Sequence, residues 1–190
     1  MAIGDMNRRR SAVLLLDLQR DFLASDGARM PVGQEEARRV LAAANAVLDG
    51  VALKGALPVL VVNRFPRTAW LANFFRHGAT IDGSWGSEID ERLHTRQGLK
   101  VFAKTRSSAF SSEELVAYLA ANSISQVFVL GVFAEGCVRA TAVDALKQGF
   151  KAIVPTCAIG TNSEAKRRFA HWAMARAGVT LVPELAEYAA

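Results

Sequence analysis

A chain of 190 residues, 51% hydrophobic and 22% charged, is long enough to bury one substantial core. Its formal net charge is +5, part of it in Arg8-Arg9-Arg10, yet no basic run is interleaved with aromatics, which argues against a nucleic-acid face, and no stretch reaches membrane-spanning length. Two cysteines exclude a disulfide scaffold and a paired-cysteine metal site, and the polar, basic residues 1–10 do not read as a secretory signal, so a cytoplasmic setting is expected.

Residues 1–10 read as a basic tail and residues 11–190 as one domain. The apolar run 12–16 is the first predicted strand and ends at Asp17. A helical pattern follows over 34–54, with Ala37, Val40, Leu41, Ala44, Val47, Leu48 and Val51 on one face. A second strand covers 57–62. Residues 63–98 form an irregular connection that holds Trp70, Phe75 and Trp85; long connections of this kind often serve as binding loops or oligomer contacts. Further strands are predicted over 99–103, 126–130, 151–154 and 179–182, with helices over 112–121, from Cys137 through Lys147, and over 164–177. Strands that are apolar on both faces require cover on both sides. The alternation therefore predicts a three-layer α-β-α sandwich with a mostly parallel, six-stranded sheet, a Rossmann-like arrangement.

In open α/β sheets ligands bind beyond the carboxyl ends of the strands. Asp17, Lys104 and Cys137 all fall at such ends, so three strands deliver a carboxylate, an ammonium and a thiol to one edge. Singly, each has an ordinary reading: a turn residue, a solvent-facing lysine, a small buried hydrophobe. Together they suit nucleophilic catalysis. Cys137, at a strand-to-helix junction, is expected near the positive end of a helix dipole. At ~4 Å and an effective dielectric of about 20, a lysine contributes on the order of 4 kcal/mol to a thiolate, roughly three pKa units. That is enough to bring a thiol from about 8.5 to below neutrality, so the setting is expected to favour a thiolate. Cys157 lacks such partners and reads as packing.

Three segments carry a family resemblance spanning about residues 11–183. They are Asp17-Leu18-Gln19-Arg20-Asp21-Phe22, Lys104-Thr105-Arg106-Ser107-Ser108-Ala109-Phe110, and Gly131-Val132-Phe133-Ala134-Glu135-Gly136-Cys137-Val138. In that order they resemble the isochorismatase-like cysteine hydrolases, the superfamily of nicotinamidases and N-carbamoylsarcosine amidase. The resemblance implies Cys137 as nucleophile, Asp17 as general base and then acid, and Lys104 as the group that orients and polarises the site. It also implies a cis peptide at Val132-Phe133 and an oxyanion hole from the backbone N–H groups of Phe133 and Cys137. Relatives are commonly dimers or tetramers, so a homo-oligomer is expected, with an apolar contact over residues 70–75.

Departures narrow the expectation. Nicotinamidases carry an Asp-x-His metal motif after the second strand, where this chain has Asn63-Arg64-Phe65, and His77, His94 and His171 are scattered. No metal and no cofactor are expected. Some isochorismatases lack the cysteine, so retention of Cys137 points to C–N hydrolysis of a small amide or ureido compound; vinyl-ether hydrolysis and a non-catalytic binding protein are the alternatives. Phe22, Trp85 and Phe133 are candidates for an aromatic pocket wall, and Arg106 for meeting a substrate carboxylate. Thr156 stands where many relatives have Asp.

Overall fold

The computed structural model describes residues 10–70, 74 and 76–185. Six parallel strands form its sheet: β1 (Arg10–Leu16), β2 (Leu57–Asn63), β3 (Lys100–Lys104), β4 (Ile124–Val132), β5 (Lys151–Pro155) and β7 (Thr180–Val182), in the order β3-β2-β1-β4-β5-β7. A seventh, two-residue strand, β6 (Ile159–Gly160), pairs with the end of β4 beyond the reach of β5. Among the described residues the helices with defined bounds are α1 (Arg20–Leu23), α2 (Gln34–Leu48), α3 (Glu113–Ala121), α4 (Arg139–Lys147) and α5 (Glu164–Arg176).

Side chains of a strand alternate between faces, and each face here has its own core. Val13 and Leu15 of β1 pack with Leu60, Val62 and the α2 residues Ala37, Val40, Leu41 and Ala44. Ala12, Leu14 and Leu16 pack on the other side with Leu115 of α3, Ala142 of α4 and Met174 of α5. The predicted three layers are therefore present, with α2 on one face and α3 to α5 on the other. Leu14, Leu15 and Leu16 are fully buried, and each such leucine stabilises the fold by about 1.5–3 kcal/mol.

Two sequence boundaries need correction. Arg10 does not belong to a tail but opens β1, opposite Ile124; the rest of the expected basic tail, residues 1–9, lies outside the described residues. The helix expected over 34–54 stops at Leu48. Gly50, in the left-handed region at φ 73, closes it with Gly50 N–H to Val47 O and Val51 N–H to Ala46 O. That pair of bonds is a Schellman stop, and it turns Val51 away from the helix face to 69% exposure. Among the described residues no helix is long and apolar enough to cross a membrane.

The chain runs outward from β1 through β2 to β3, then returns to place β4 on the other side of β1. The reversal leaves a crevice above the carboxyl ends of β1 and β4. Those two ends approach closely: a Cβ on Gly131 would lie 2.1 Å from the Leu16 carbonyl oxygen, and Gly131 has φ 119, so only glycine fits.

Candidate active site

Asp17, Lys104 and Cys137 meet above that crevice. Lys104 reaches across β2 from the end of β3. Its Nζ donates to Asp17 Oδ2 at 3.0 Å and to Asn63 Oδ1 at 2.9 Å, and lies 3.3 Å from both the Arg106 carbonyl oxygen and Cys137 Sγ. An ammonium has three protons. Two serve the short bonds, and the third is shared between a carbonyl and the sulfur. The Lys104 side chain is fully buried and that of Asp17 is 1% exposed, so each charge is matched by the other in a place where neither is otherwise tolerated.

Asp17 sits in the left-handed region at φ 57, and its N–H donates to Val61 O at 2.8 Å. Aspartate is among the few side chains that tolerate this conformation, which is characteristic of functional sites. Its Oδ1 is buried and has no hydrogen-bond partner among the described residues. One carboxylate oxygen is thus held by Lys104 while the other is left to accept a proton.

The rest of the Asp17 motif holds the loops together. Gln19 Nε2 donates to the carbonyls of Asn63 at 2.9 Å and Ser87 at 2.7 Å, and its Oε1 accepts the Asn63 N–H at 2.8 Å. Asp21 accepts the N–H groups of Thr80 at 2.7 Å and Arg29 at 3.2 Å and abuts Gly86, where any Cβ would collide with its carboxylate. The Ser108-Ala109-Phe110 segment docks on α4 through Ala109 N–H to Thr141 Oγ1 at 3.0 Å.

Cys137 does not cap a regular α-helix, contrary to the sequence expectation. It lies inside a π-helical turn, Ala134–Val138, that runs directly into α4. The Val132-Phe133 peptide before the turn is cis. Nor does its setting favour a thiolate. Cys137 keeps some exposure as a residue, yet burial, and then the charge of Asp17, pushes its thiol up to about 12, with Lys104 offsetting only part. The simple pair estimate counted the lysine and omitted both opposing effects. In this setting Cys137 rests as a thiol. The difference in ultraviolet thiolate absorbance between wild type and Cys137→Ala should be absent at neutral pH and emerge only as the pH climbs toward about 12. Thiolate absorbance from Cys137 below pH roughly 8 would overturn this assignment.

The proposed pocket residues fare differently. Phe22 is 3% exposed and meets Phe133 edge-on at 5.7 Å between centroids, so these two aromatics adjoin the nucleophile turn. Trp85 is 47% exposed, lies against Gly27 and stacks on Arg20, which is pinned by Glu88 and Glu91. These contacts hold Trp85 to Gly27 and Arg20 rather than to Cys137. Arg106 contributes its carbonyl to Lys104 while its side chain is exposed. The carbonyls of Thr156 and Cys157 both accept from Arg39, fixing that loop to α2. Two residues near the site escaped the sequence reading: Asn63, which shares Lys104 with Asp17, and Arg76. Asn63 was findable, since it ends β2 on the same edge.

The donor set does not suit a metal. Where a ligand would be needed at the end of β2 stand Asn63, already committed to Lys104, and Phe65. His94 pairs with Asp49 on the exposed surface and His171 lies on α5. Among the described residues there is no group of three or more His, Cys, Asp or Glu arranged to hold an ion.

Comparison with known proteins gives a family match and several relatives. The protein-family model described as Isochorismatase domain matches residues 11–183. N-carbamoylsarcosine amidase from an Arthrobacter species is 36% identical over 91 residues, 48% of this chain and 34% of that protein. Maleamate amidohydrolase from Pseudomonas putida is 32% identical over 80 residues, 42% of this chain and 38% of that protein. These matches thus span little more than a third of each relative's length. The crystal structure of pyrazinamidase from Pyrococcus horikoshii in complex with zinc superposes with a TM-score of 0.79 at 26% identity, covering 91% of this chain and 98% of that one.

Proposed function

The chain belongs to the isochorismatase domain family, and from that membership we propose that it is a cysteine hydrolase cleaving a C–N bond of a small amide or ureido compound, with no metal and no cofactor. The family includes amidases among its relatives, which supports the reaction class. The observation that carries the finer reading is the Lys104 ammonium lying within 3.3 Å of both the Asp17 carboxylate and the Cys137 sulfur.

With Cys137 resting as a thiol, the proton leaves as the sulfur attacks. Asp17 takes that proton on its unpartnered oxygen while the sulfur adds to the substrate carbonyl carbon. Lys104 stabilises the charge passing between them. The carbonyl oxygen becomes an oxyanion, received by the backbone N–H groups of Phe133 and Cys137. Phe133 precedes the π-helical turn and Cys137 lies within it, and Phe133 O accepts the N–H groups of Gly136 at 3.0 Å and Val138 at 3.2 Å. Asp17 then returns its proton to the leaving nitrogen as the C–N bond breaks, giving ammonia or an amine and a thioester. Water, deprotonated by Asp17, hydrolyses the thioester and restores the thiol. In this reading Phe22 and Phe133 meet the substrate beside the nucleophile turn, with the exposed Trp85 and Arg106 as further candidates.

The test is ammonia release by chelator-treated enzyme from a panel of N-carbamoyl amino acids, monoamides of dicarboxylic acids and nicotinamide, with rapid acid quench and mass spectrometry to trap an acyl adduct on Cys137. Release with a trapped adduct is the expected outcome. Release that needs added metal, or an adduct elsewhere, would sink the mechanism. We also take the protein to be a cytoplasmic homo-oligomer. Trp70 and Phe74 support an apolar contact at 74% and 73% exposure, while Leu71, Ala72, Asn73 and Phe75 of the expected contact lie outside the described residues. Light scattering that returned the single-chain mass of 20.5 kDa would refute the oligomer.

A further inference from the structure

Arg76 lies in the connection between β2 and the turn Trp85–Ser87, and nothing above gives it a role. It is held from two sides. Its Cζ is 3.8 Å from the Phe65 ring centroid, and its Nη2 donates to Thr80 Oγ1 at 3.3 Å. Both anchors belong to the active-site scaffold. Phe65 follows β2 two residues after Asn63 and donates its N–H to Thr80 O at 3.0 Å, and the Thr80 N–H is bound by Asp21. The guanidinium accordingly sits within Coulombic range of Cys137, Asp17 and Asp21.

None of these groups pairs with it. Asp17 Oδ2 is taken by Lys104, and the two Asp21 oxygens accept backbone N–H groups. Among the described residues no ion pair includes Arg76, and its Nε is buried with no hydrogen-bond partner. A guanidinium carries five donors in one plane. Its Cζ lies over the Phe65 ring, and among the described residues the one acceptor it meets is Thr80 Oγ1. Burial acts against its charge, while the Asp17 and Asp21 carboxylates support it. Lys104 and Asp17 cancel, and Asp21 balances the charge of Arg76 without bonding to it, so Arg76 keeps an unsatisfied donor and no ion-pair partner among the described residues. A planar fork of this kind matches a carboxylate, which it binds with two parallel bonds.

We propose that Arg76 anchors a carboxylate of the substrate, so that the compound cleaved at Cys137 is an acid, such as an N-carbamoyl amino acid or the monoamide of a dicarboxylic acid. This rests on the cysteine amidohydrolase reading. Arg76 rather than the exposed Arg106 takes this role, because Arg76 is fixed by stacking and loses less freedom on binding.

For any acid the enzyme hydrolyses, ammonia release is compared with that from its methyl ester, in wild type, Arg76→Met and Arg76→Lys. Wild type should prefer the acid by about tenfold to a hundredfold in kcat/KM. The acid-to-ester ratio should fall toward one in Arg76→Met and partway in Arg76→Lys, which keeps the charge and loses the fork. Should Arg76→Met fail to fold, the lysine variant carries the comparison. A ratio equal in wild type and variants, or a wild type indifferent to the ester, would overturn the proposal while leaving the amidohydrolase reading intact. Calorimetric titration with succinate reads the anchor without turnover. Binding weakened tenfold or more by Arg76→Met supports the anchor even if no compound is hydrolysed, and binding that is absent or equal in both proteins counts against it.

Discussion

Cys137→Ala should lose amide hydrolysis by a factor on the order of 10⁴ or more, the scale seen when a nucleophile that works as part of a unit is removed, while the fold persists. The loss follows from the arrangement around the sulfur. Among the described residues no other thiol or hydroxyl meets the Lys104 ammonium, and Cys157 stands apart, its carbonyl bound to Arg39. Cys137→Ser should be nearly as inactive. A hydroxyl has almost the same shape but gives up its proton far less readily, and burial together with the charge of Asp17 already holds the proton on a thiol, with Lys104 offsetting only part. Asp17→Asn should fall comparably, because the amide keeps an oxygen for Lys104 yet cannot receive the thiol proton. Ammonia release measures all three, with circular dichroism as the check on folding. A Cys137→Ala variant within tenfold of wild type would end the nucleophile assignment.

Lys104→Met should destabilise the protein by about 3–5 kcal/mol, the cost of leaving one member of a buried ion pair without the other. Methionine preserves the length and apolar stem of the side chain, so lost packing contributes little. What remains is the Asp17 carboxylate at 1% exposure with neither its ammonium nor a partner for its second oxygen. The loss should be largely recovered in Asp17→Asn/Lys104→Met, which removes both charges. Urea denaturation of the two single variants and the double variant gives the coupling directly. A cost below about 1 kcal/mol for Lys104→Met would show that the pair behaves like an exposed one.

The fold was largely legible because covered parallel strands must be apolar on both faces, and the runs at 12–16, 57–62 and 126–130 are. The polar residues that interrupt the pattern at strand ends drew attention to Asp17 and Lys104. The end of α2 was less legible, since Val51 continues the apolar period and only Gly50 signals the stop. Trp85 and Arg106 show the same limit at the site. A long loop can be recognised as a loop from composition, but the direction of its side chains depends on what they pack against, here Gly27 and Arg20 for Trp85. Arg76 carried no sequence signal at all. It is one of many scattered arginines until Phe65 and Thr80 close around it.

Order along the chain, apolar periodicity and three short motifs are enough to establish the sheet, its layers and the edge on which the polar residues gather, because strand ends map onto space once the topology is known. The protonation state of Cys137, the unpartnered oxygen of Asp17 and the unpaired charge of Arg76 were decided by tertiary packing alone. Each is a balance between desolvation and neighbours contributed by distant segments, and that balance exists only when β1, β3, β4 and the connection after β2 converge.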